Sequence, residues 1–205
     1  MINIVLYNPE IPQNTGNIMR TCVATGSILH LIKPYGFILN DSTIKRSGVN
    51  YIDKLEYHEY DDWEEFKSKN KGTYYYFTRY GHKHHTSFDY SDSNENIYLI
   101  FGKESTGIPR EILKDDLEHC MRIPMTINVR SLNLSNCAAI MLFLASESLE
   151  NAAVISHEPD TMKGEFFIDQ IDVNTLDNKH REHYGGIKNG FTTFNKTKLC
   201  RICKN

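Results

Sequence analysis

The sequence predicts an α/β fold built on a parallel sheet. Three observations carry that reading. β-rich and helical stretches alternate along the first 150 residues, Ile97 to Phe101 is a compact apolar run of the kind central parallel strands show, and a long helical stretch closes the pattern at Leu134 to Leu149.

The elements follow in order. Ile2 to Tyr7 alternates and is rich in β-formers, a first strand ending at Asn8-Pro9. Asn14-Thr15-Gly16-Asn17 opens a helix through Ile18 to Thr25, and Gly26 is placed to stop it. Ile28 to Ile32 is a second strand, closed by Lys33-Pro34-Tyr35-Gly36. Ser42 caps a short helix ending at Gly48, and Leu55 to Tyr60 is strand-like. Asp61 to Lys69 runs from acidic to basic, matching a helix dipole. Thr73 to Thr78 is a strand, Ile97 to Phe101 another, and Cys120 to Ile123 one more. A short helix follows Pro109, and the last helix is capped by Asn133 or Ser135.

Length and composition bound the rest. A chain of 205 residues, 40% hydrophobic and 24% charged, is one domain or one domain with an appendage. Composition shifts after about residue 150 to Asn, Lys, Asp and Thr, so residues 1–150 are expected to form the main domain and 151–205 an accessory tail. The longest apolar run, Ala138 to Ala145, is too short to span a bilayer, and the N-terminus lacks a basic, cleavable leader. Five cysteines, three of them (Cys22, Cys120, Cys137) in apolar stretches, suit a reduced cytoplasmic protein. The formal charge of −3, with 15 Lys and Arg against 19 Asp and Glu in residues 1–150, leaves no general basic footprint. Any phosphate-binding surface is therefore local, with Lys45-Arg46, and Arg79 with Lys83, as the candidates.

Three motifs carry chemistry. In the first, Asn14, Asn17 and Arg20 are spaced by three, which aligns two amides and a guanidinium near a helix N-terminus, a place that receives phosphate and ribose oxygens; a capped helix with a surface arginine has the same spacing. The second is Gly102-Lys103-Glu104-Ser105-Thr106-Gly107, directly after the most apolar strand, where α/β proteins bind small ligands. Either a close cofactor edge or a positive φ is expected at Gly102. The third runs from Ile123-Pro124-Met125 through Ser131, Asn133, Ser135 and Asn136, with more hydrogen-bonding groups than one helix cap needs.

In this order and context the three motifs resemble the SPOUT class of RNA methyltransferases, specifically the tRNA (cytidine/uridine-34) 2′-O-ribose methyltransferase family. The resemblance covers residues 1 to about 150, including Asn8-Pro9-Glu10-Ile11-Pro12 and Lys45-Arg46-Ser47-Gly48. It implies a parallel α/β sheet whose C-terminal segment is tucked through a loop as a trefoil knot. It also implies S-adenosyl-L-methionine as cofactor, held at the positions matching Phe77, Gly102, Ile123 and Ser131, with Asn14, Asn17, Glu104, Gly107, Asn133 and Ser135 shaping the site. The family acts on tRNA as a homodimer with each active site at the interface, and Arg20 matches its catalytic arginine. The cofactor supplies the electrophile, so no metal is implied. Arg20 is either a base with a strongly shifted pKa or a holder of phosphate and developing oxyanion, because a guanidinium keeps its proton to roughly pH 12 and beyond. Competing readings are methylation of rRNA or another tRNA position, and a regulator that binds cofactor and RNA without turnover; the intact Arg20 argues against the last.

Several further features stand apart. His82, His84 and His85 crowd an expected loop; Trp63 is expected to pack its helix onto the sheet. In the tail, His180 and His183 with Cys200 and Cys203 offer four zinc-type ligands in an order that matches no known pattern. Its last residues, with Lys196, Lys198, Arg201 and Lys204, carry four positive charges suited to steering a polyanion.

Overall fold

A computed structural model describes residues 1–39, 52–90, 95–149 and 154–156. The expected Ser42 to Gly48 helix, Lys45-Arg46, and the tail residues His180, His183, Cys200 and Cys203 lie outside the described residues. Contacts divide the chain into two units, Met1–Ile155 and Ser156–Asn205, and every element below belongs to the first.

Seven strands make one sheet: β1 (Ile2–Tyr7), β2 (Ile28–Ile32), β3 (Tyr57–Tyr60), β4 (Thr73–Phe77), β5 (Lys83–His84), β6 (Ile97–Phe101) and β7 (Cys120–Arg122). Their order is β3-β2-β1-β6-β4-β7-β5, and every pairing is parallel. Among the described residues four helices accompany them: α1 (Pro12–Thr25), α2 (Trp63–Lys69), α3 (Arg110–Leu113) and α4 (Leu134–Ser148).

The period-2 alternation of side chains divides the core into two layers. Ile2, Ile4 and Leu6 of β1 and Ile97, Leu99 and Phe101 of β6 face α1 and α4, meeting Ile18, Met19, Met141 and Leu142. Val5, Tyr98 and Ile100 point the other way, onto Trp63 and Phe66 of α2 and Ile112 and Leu113 of α3. Helices on both faces are why β6 reads as a compact apolar run. Trp63 packs as expected, against Phe66, Tyr74 and Tyr76.

Local chemistry sets the helix ends. Gly26 takes φ 64° and stops α1 in the left-handed conformation that glycine adopts freely. Asp62 caps α2 by accepting from the Glu65 N–H at 2.8 Å. Asn133 caps α4, and Ser135 is the second residue of its first turn.

Three expectations are corrected. Helix α1 begins at Pro12, two residues before the expected opening at Asn14, because proline's missing N–H costs nothing in a first turn. Strand β3 starts at Tyr57 because Ile52–Lys54 forms a 3₁₀ turn before it. The expected loop at His82 to His85 contains a strand: Lys83 and His84 pair with Met121 and Arg122. Two residues are too few to show any periodicity, so no sequence pattern marks it.

Candidate active site

The carboxyl ends of β6, β4 and β7 lie close together in the sheet, which is where open α/β sheets place their ligands. The loops that leave them enclose a cleft of about 450 Å³. It is reached by residues from all three motifs: Asn14; Gly102, Glu104 and Gly107; and Ile123, Ser131 and Asn133, together with Phe77 at the end of β4. The structure thus gathers every position matched to the cofactor. Arg20 and Asn17 are not among the described lining residues; both are exposed on α1. Along the three-residue spacing, Asn14 is buried while Asn17 and Arg20 are exposed on α1.

Part of the wall is flat and apolar. The rings of Phe77 and Phe101 stack at 4.8 Å and 14°. The Gly102 loop closes on itself, with the Gly107 N–H donating to the Lys103 carbonyl at 2.9 Å. A Cβ on Gly102 would stand 2.1 Å from the Gly107 carbonyl carbon, so glycine is required there by the loop's own backbone. The positive φ belongs to Gly107 instead, at +77° with open space around it.

A polar chain joins the motifs. The Glu104 carboxylate accepts from the N–H groups of Glu10 (2.9 Å) and Ile11 (3.2 Å) and from the Asn14 amide (2.9 Å). Asn14 in turn accepts from the Asn133 amide at 2.9 Å. The Asn133 side-chain oxygen accepts from the Ser135 N–H and hydroxyl, at 2.9 and 2.7 Å, and from the Asn136 N–H. The electropositive entrance of α1, a place for a ligand anion on sequence grounds, is thus already answered by an internal carboxylate. Glu10 returns the contact: its carboxylate accepts from the Ser105 hydroxyl (2.8 Å) and N–H (2.9 Å). Those two bonds, with Lys103 nearby, hold the Glu10 carboxyl below the usual carboxylate range.

Glu10 is a site residue that motif reading leaves without a role; the signal was an acid between two prolines at a helix start. Cys137 also lines the cleft unheralded, and burial pushes its thiol up to about 11, so it is protonated and a weak nucleophile at neutral pH. Arg79, Tyr80, Lys103 and Arg122 complete the rim. Among the described residues no group of three or more His, Cys, Asp or Glu is placed to hold a metal, and no helix is long and apolar enough to cross a membrane.

Known proteins share this arrangement. A protein of Geobacillus stearothermophilus named a tRNA (cytidine(34)-2′-O)-methyltransferase is 48% identical over 145 residues, 70% of this chain and 92% of its own. A solved RNA methyltransferase from Bacillus anthracis is 48% identical, with TM-score 0.71 over 74% of this chain and 96% of its own. A structure described for 2′-OH methylation of C/U34 on tRNA is 36% identical, with TM-score 0.68 over 73% of this chain and 97% of its own. An rRNA methyltransferase from Sinorhizobium meliloti with bound AdoMet is 25% identical, with TM-score 0.64 over 72% of this chain and 56% of its own. The model of the SpoU rRNA methylase family matches residues 1–143, and the chain belongs to that family.

Proposed function

We propose that this protein methylates the ribose 2′ oxygen of nucleotide 34 in tRNA, using S-adenosyl-L-methionine. The carrying observation is the convergence of all three motifs, through Glu104, Asn14 and Asn133, on one cleft at the strand ends. The names of the similar proteins point to the same nucleotide.

The cleft suits the cofactor. Its volume lies within the range of small-molecule pockets, and it combines the flat Phe77–Phe101 wall with backbone amides at Gly102, Gly107 and Ile123 and the Ser131 hydroxyl. When bound, S-adenosyl-L-methionine would supply a sulfonium-activated methyl group to the ribose 2′ oxygen, with the thioether S-adenosyl-L-homocysteine as the in-line leaving group and the hydroxyl proton passing to water. The chain's part is positioning: Phe77, Gly102, Ile123 and Ser131 hold the cofactor, and Glu104, Asn14, Gly107, Asn133 and Ser135 fix the loops around it, while Asn17 lies with Arg20 on the exposed part of α1. Arg20 acts as the catalytic residue by holding the developing oxyanion, a task a guanidinium performs better than proton removal.

Arg20 meets the reaction in a homodimer, which supports a reading in which α1 and α4 form the interface. These helices pack together, and α4 exposes Ile140 and Phe143, 42% and 50% accessible, on the same outer layer that carries Arg20. The threading of α4 as a trefoil knot fits the chain's path from β7 back to β1 and β6. The enzyme works in the cytoplasm, where its free Cys22, Cys120 and Cys137 stay reduced; residues 151–205 are an accessory tail that adds phosphate contacts.

Nucleoside mass spectrometry of tRNA from cells lacking the protein tests this. Loss of 2′-O-methylation at position 34, restored by the purified chain with S-adenosyl-L-methionine, is expected. Unchanged modification at 34 with loss elsewhere refutes the assignment.

A further inference from the structure

In a chain of net charge −3, one rim of the cleft is basic. Arg79, Lys103 and Arg122 line it against a single lining carboxylate among the described residues, that of Glu104, which is already engaged by Glu10, Ile11 and Asn14. Sheet pairing brings the two arginines together. Phe77 is in register with Met121, the Thr78 N–H donates to the Met121 carbonyl at 3.0 Å, and the Arg122 guanidinium donates to the Arg79 carbonyl at 3.2 Å. Both arginines remain exposed. Lys83, grouped with Arg79 on sequence, does not join them: its ammonium lies 2.6 Å from Glu118, which neutralises it.

Tyr80 lines the same rim. Residues 78–81 close as a turn, the Gly81 N–H donating to the Thr78 carbonyl at 3.2 Å and the Tyr80 N–H to the Thr78 hydroxyl at 3.3 Å. Gly81 passes so near β7 that a Cβ would stand 2.5 Å from the Met121 carbonyl carbon, so the turn is held against the sheet. Arg79 and Tyr80 occupy its two corners. The Tyr80 ring is 59% exposed, with the Arg79 guanidinium 4.8 Å from its centroid. An exposed ring beside one guanidinium, with a second guanidinium bonded to the same turn, combines the two elements that bind unpaired nucleotides: a stacking platform and phosphate partners.

We propose that the Arg79–Tyr80–Arg122 rim grips a single-stranded RNA segment beside the methylated nucleotide, with Tyr80 stacking on a base and the two guanidiniums on neighbouring phosphates. The inference rests on the RNA methyltransferase reading above and adds the residues that hold the substrate. A paired A-form helix satisfies the cations but hides its base faces, whereas an unpaired loop satisfies both.

The test uses the full chain with tRNA, comparing Tyr80→Ala, Tyr80→Phe and Arg122→Gln for tRNA affinity by fluorescence anisotropy, for KM in methyl transfer, and for S-adenosyl-L-methionine affinity by calorimetry. Tyr80→Ala is expected to weaken tRNA binding about tenfold, a typical loss for one stacked base, and Tyr80→Phe to recover most of it. Arg122→Gln is expected to flatten the dependence of log affinity on log salt by about 0.7, the single-strand value per phosphate, while Tyr80→Ala leaves that slope alone. Tyr80→Ala with wild-type tRNA affinity overturns the proposal. So does a Tyr80→Ala loss of cofactor affinity that matches the tRNA loss, because the rim then belongs to the cofactor pocket. A wild-type chain that binds tRNA through Tyr80 and never methylates it sinks the parent reading and leaves this one standing.

Discussion

Asn14 and Asn133, 119 residues apart, share a 2.9 Å hydrogen bond from the Asn133 amide to the Asn14 carbonyl oxygen. Asn14 spends its own amide on Glu104. One side chain thus couples the start of α1, the loop after β6 and the cap of α4, and it does so while almost fully buried. A side-chain amide offers both the donor and the acceptor this bridge requires.

Asn14→Asp is therefore expected to be worse than Asn14→Ala. Alanine leaves Glu104 and Asn133 each short of one partner, a cost of about 1–3 kcal/mol. Aspartate adds a carboxylate directly against Glu104 and removes the donor between them. Thermal melts and calorimetric titration of S-adenosyl-L-methionine should rank wild type above Ala above Asp in both stability and affinity. Equal behaviour of the two variants would show that the bridge carries no electrostatic weight.

The two loop glycines should fail differently. Gly102→Ala drives a methyl into the Gly107 backbone, so the loop must open and cofactor binding should be lost, with a fall in melting temperature. Gly107→Ala meets no atom but takes on a left-handed φ, a strain of about 1 kcal/mol, and Gly107→Asn should relieve part of it. Titration and melting of the three variants check the order; a Gly102→Ala protein with full cofactor affinity would refute the loop-closure argument.

These cases show what the sequence made legible. The central strands announced themselves, Ile97 to Phe101 because no polar residue interrupts it and Ile2 to Tyr7 by its β-rich alternation. Their order did not, since β6 sits between β1 and β4 only through long-range pairing. The motif residues of the cleft were named from local pattern, but spacing alone does not tell that Asn14 is buried while Arg20 is exposed. Packing against Glu104 and Asn133 decides which side of α1 turns inward, and both partners are about a hundred residues away. The Glu10–Ser105 exchange and the β5–β7 pair were invisible for the same reason.

His30 gives a pH prediction. It is buried between β1 and β3, hydrogen-bonded through one ring nitrogen to the Tyr60 hydroxyl at 2.8 Å and through the other to the Asn3 side-chain oxygen at 3.0 Å. Burial, with His58 adding repulsion, pushes its imidazole down to about 4. The unfolded chain takes up this proton below its ordinary value of roughly 6.5, the folded protein only near 4. Stability is thus fully present above 6.5, falls as pH drops from 6.5 to 4, and changes no further from this group below that. The total is about 3 kcal/mol. Urea midpoints at pH 7.5, 5.5 and 4.5 should decline through this window, and His30→Gln should flatten the decline. A variant with the wild-type slope would assign the acid sensitivity to other groups.

Arg20 provides the sharpest test of the dimer. It is exposed on α1 and outside the described lining of the cleft, so within one subunit it has no evident access to the reacting atoms. Arg20→Ala should abolish methyl transfer while leaving S-adenosyl-L-methionine affinity unchanged. Mixing it with Gly102→Ala, checked by circular dichroism for fold, then separates the two geometries. If Arg20 serves the partner's cleft, a mixed dimer carries one complete site: the cofactor pocket of the Arg20→Ala subunit and the arginine of the other. Random pairing in equal amounts should then restore about a quarter of the wild-type activity per subunit. If Arg20 serves its own cleft, neither site in the mixed dimer is complete and the mixture stays inactive. Sedimentation of the wild type sets the frame, because an active monomer would exclude the shared site altogether.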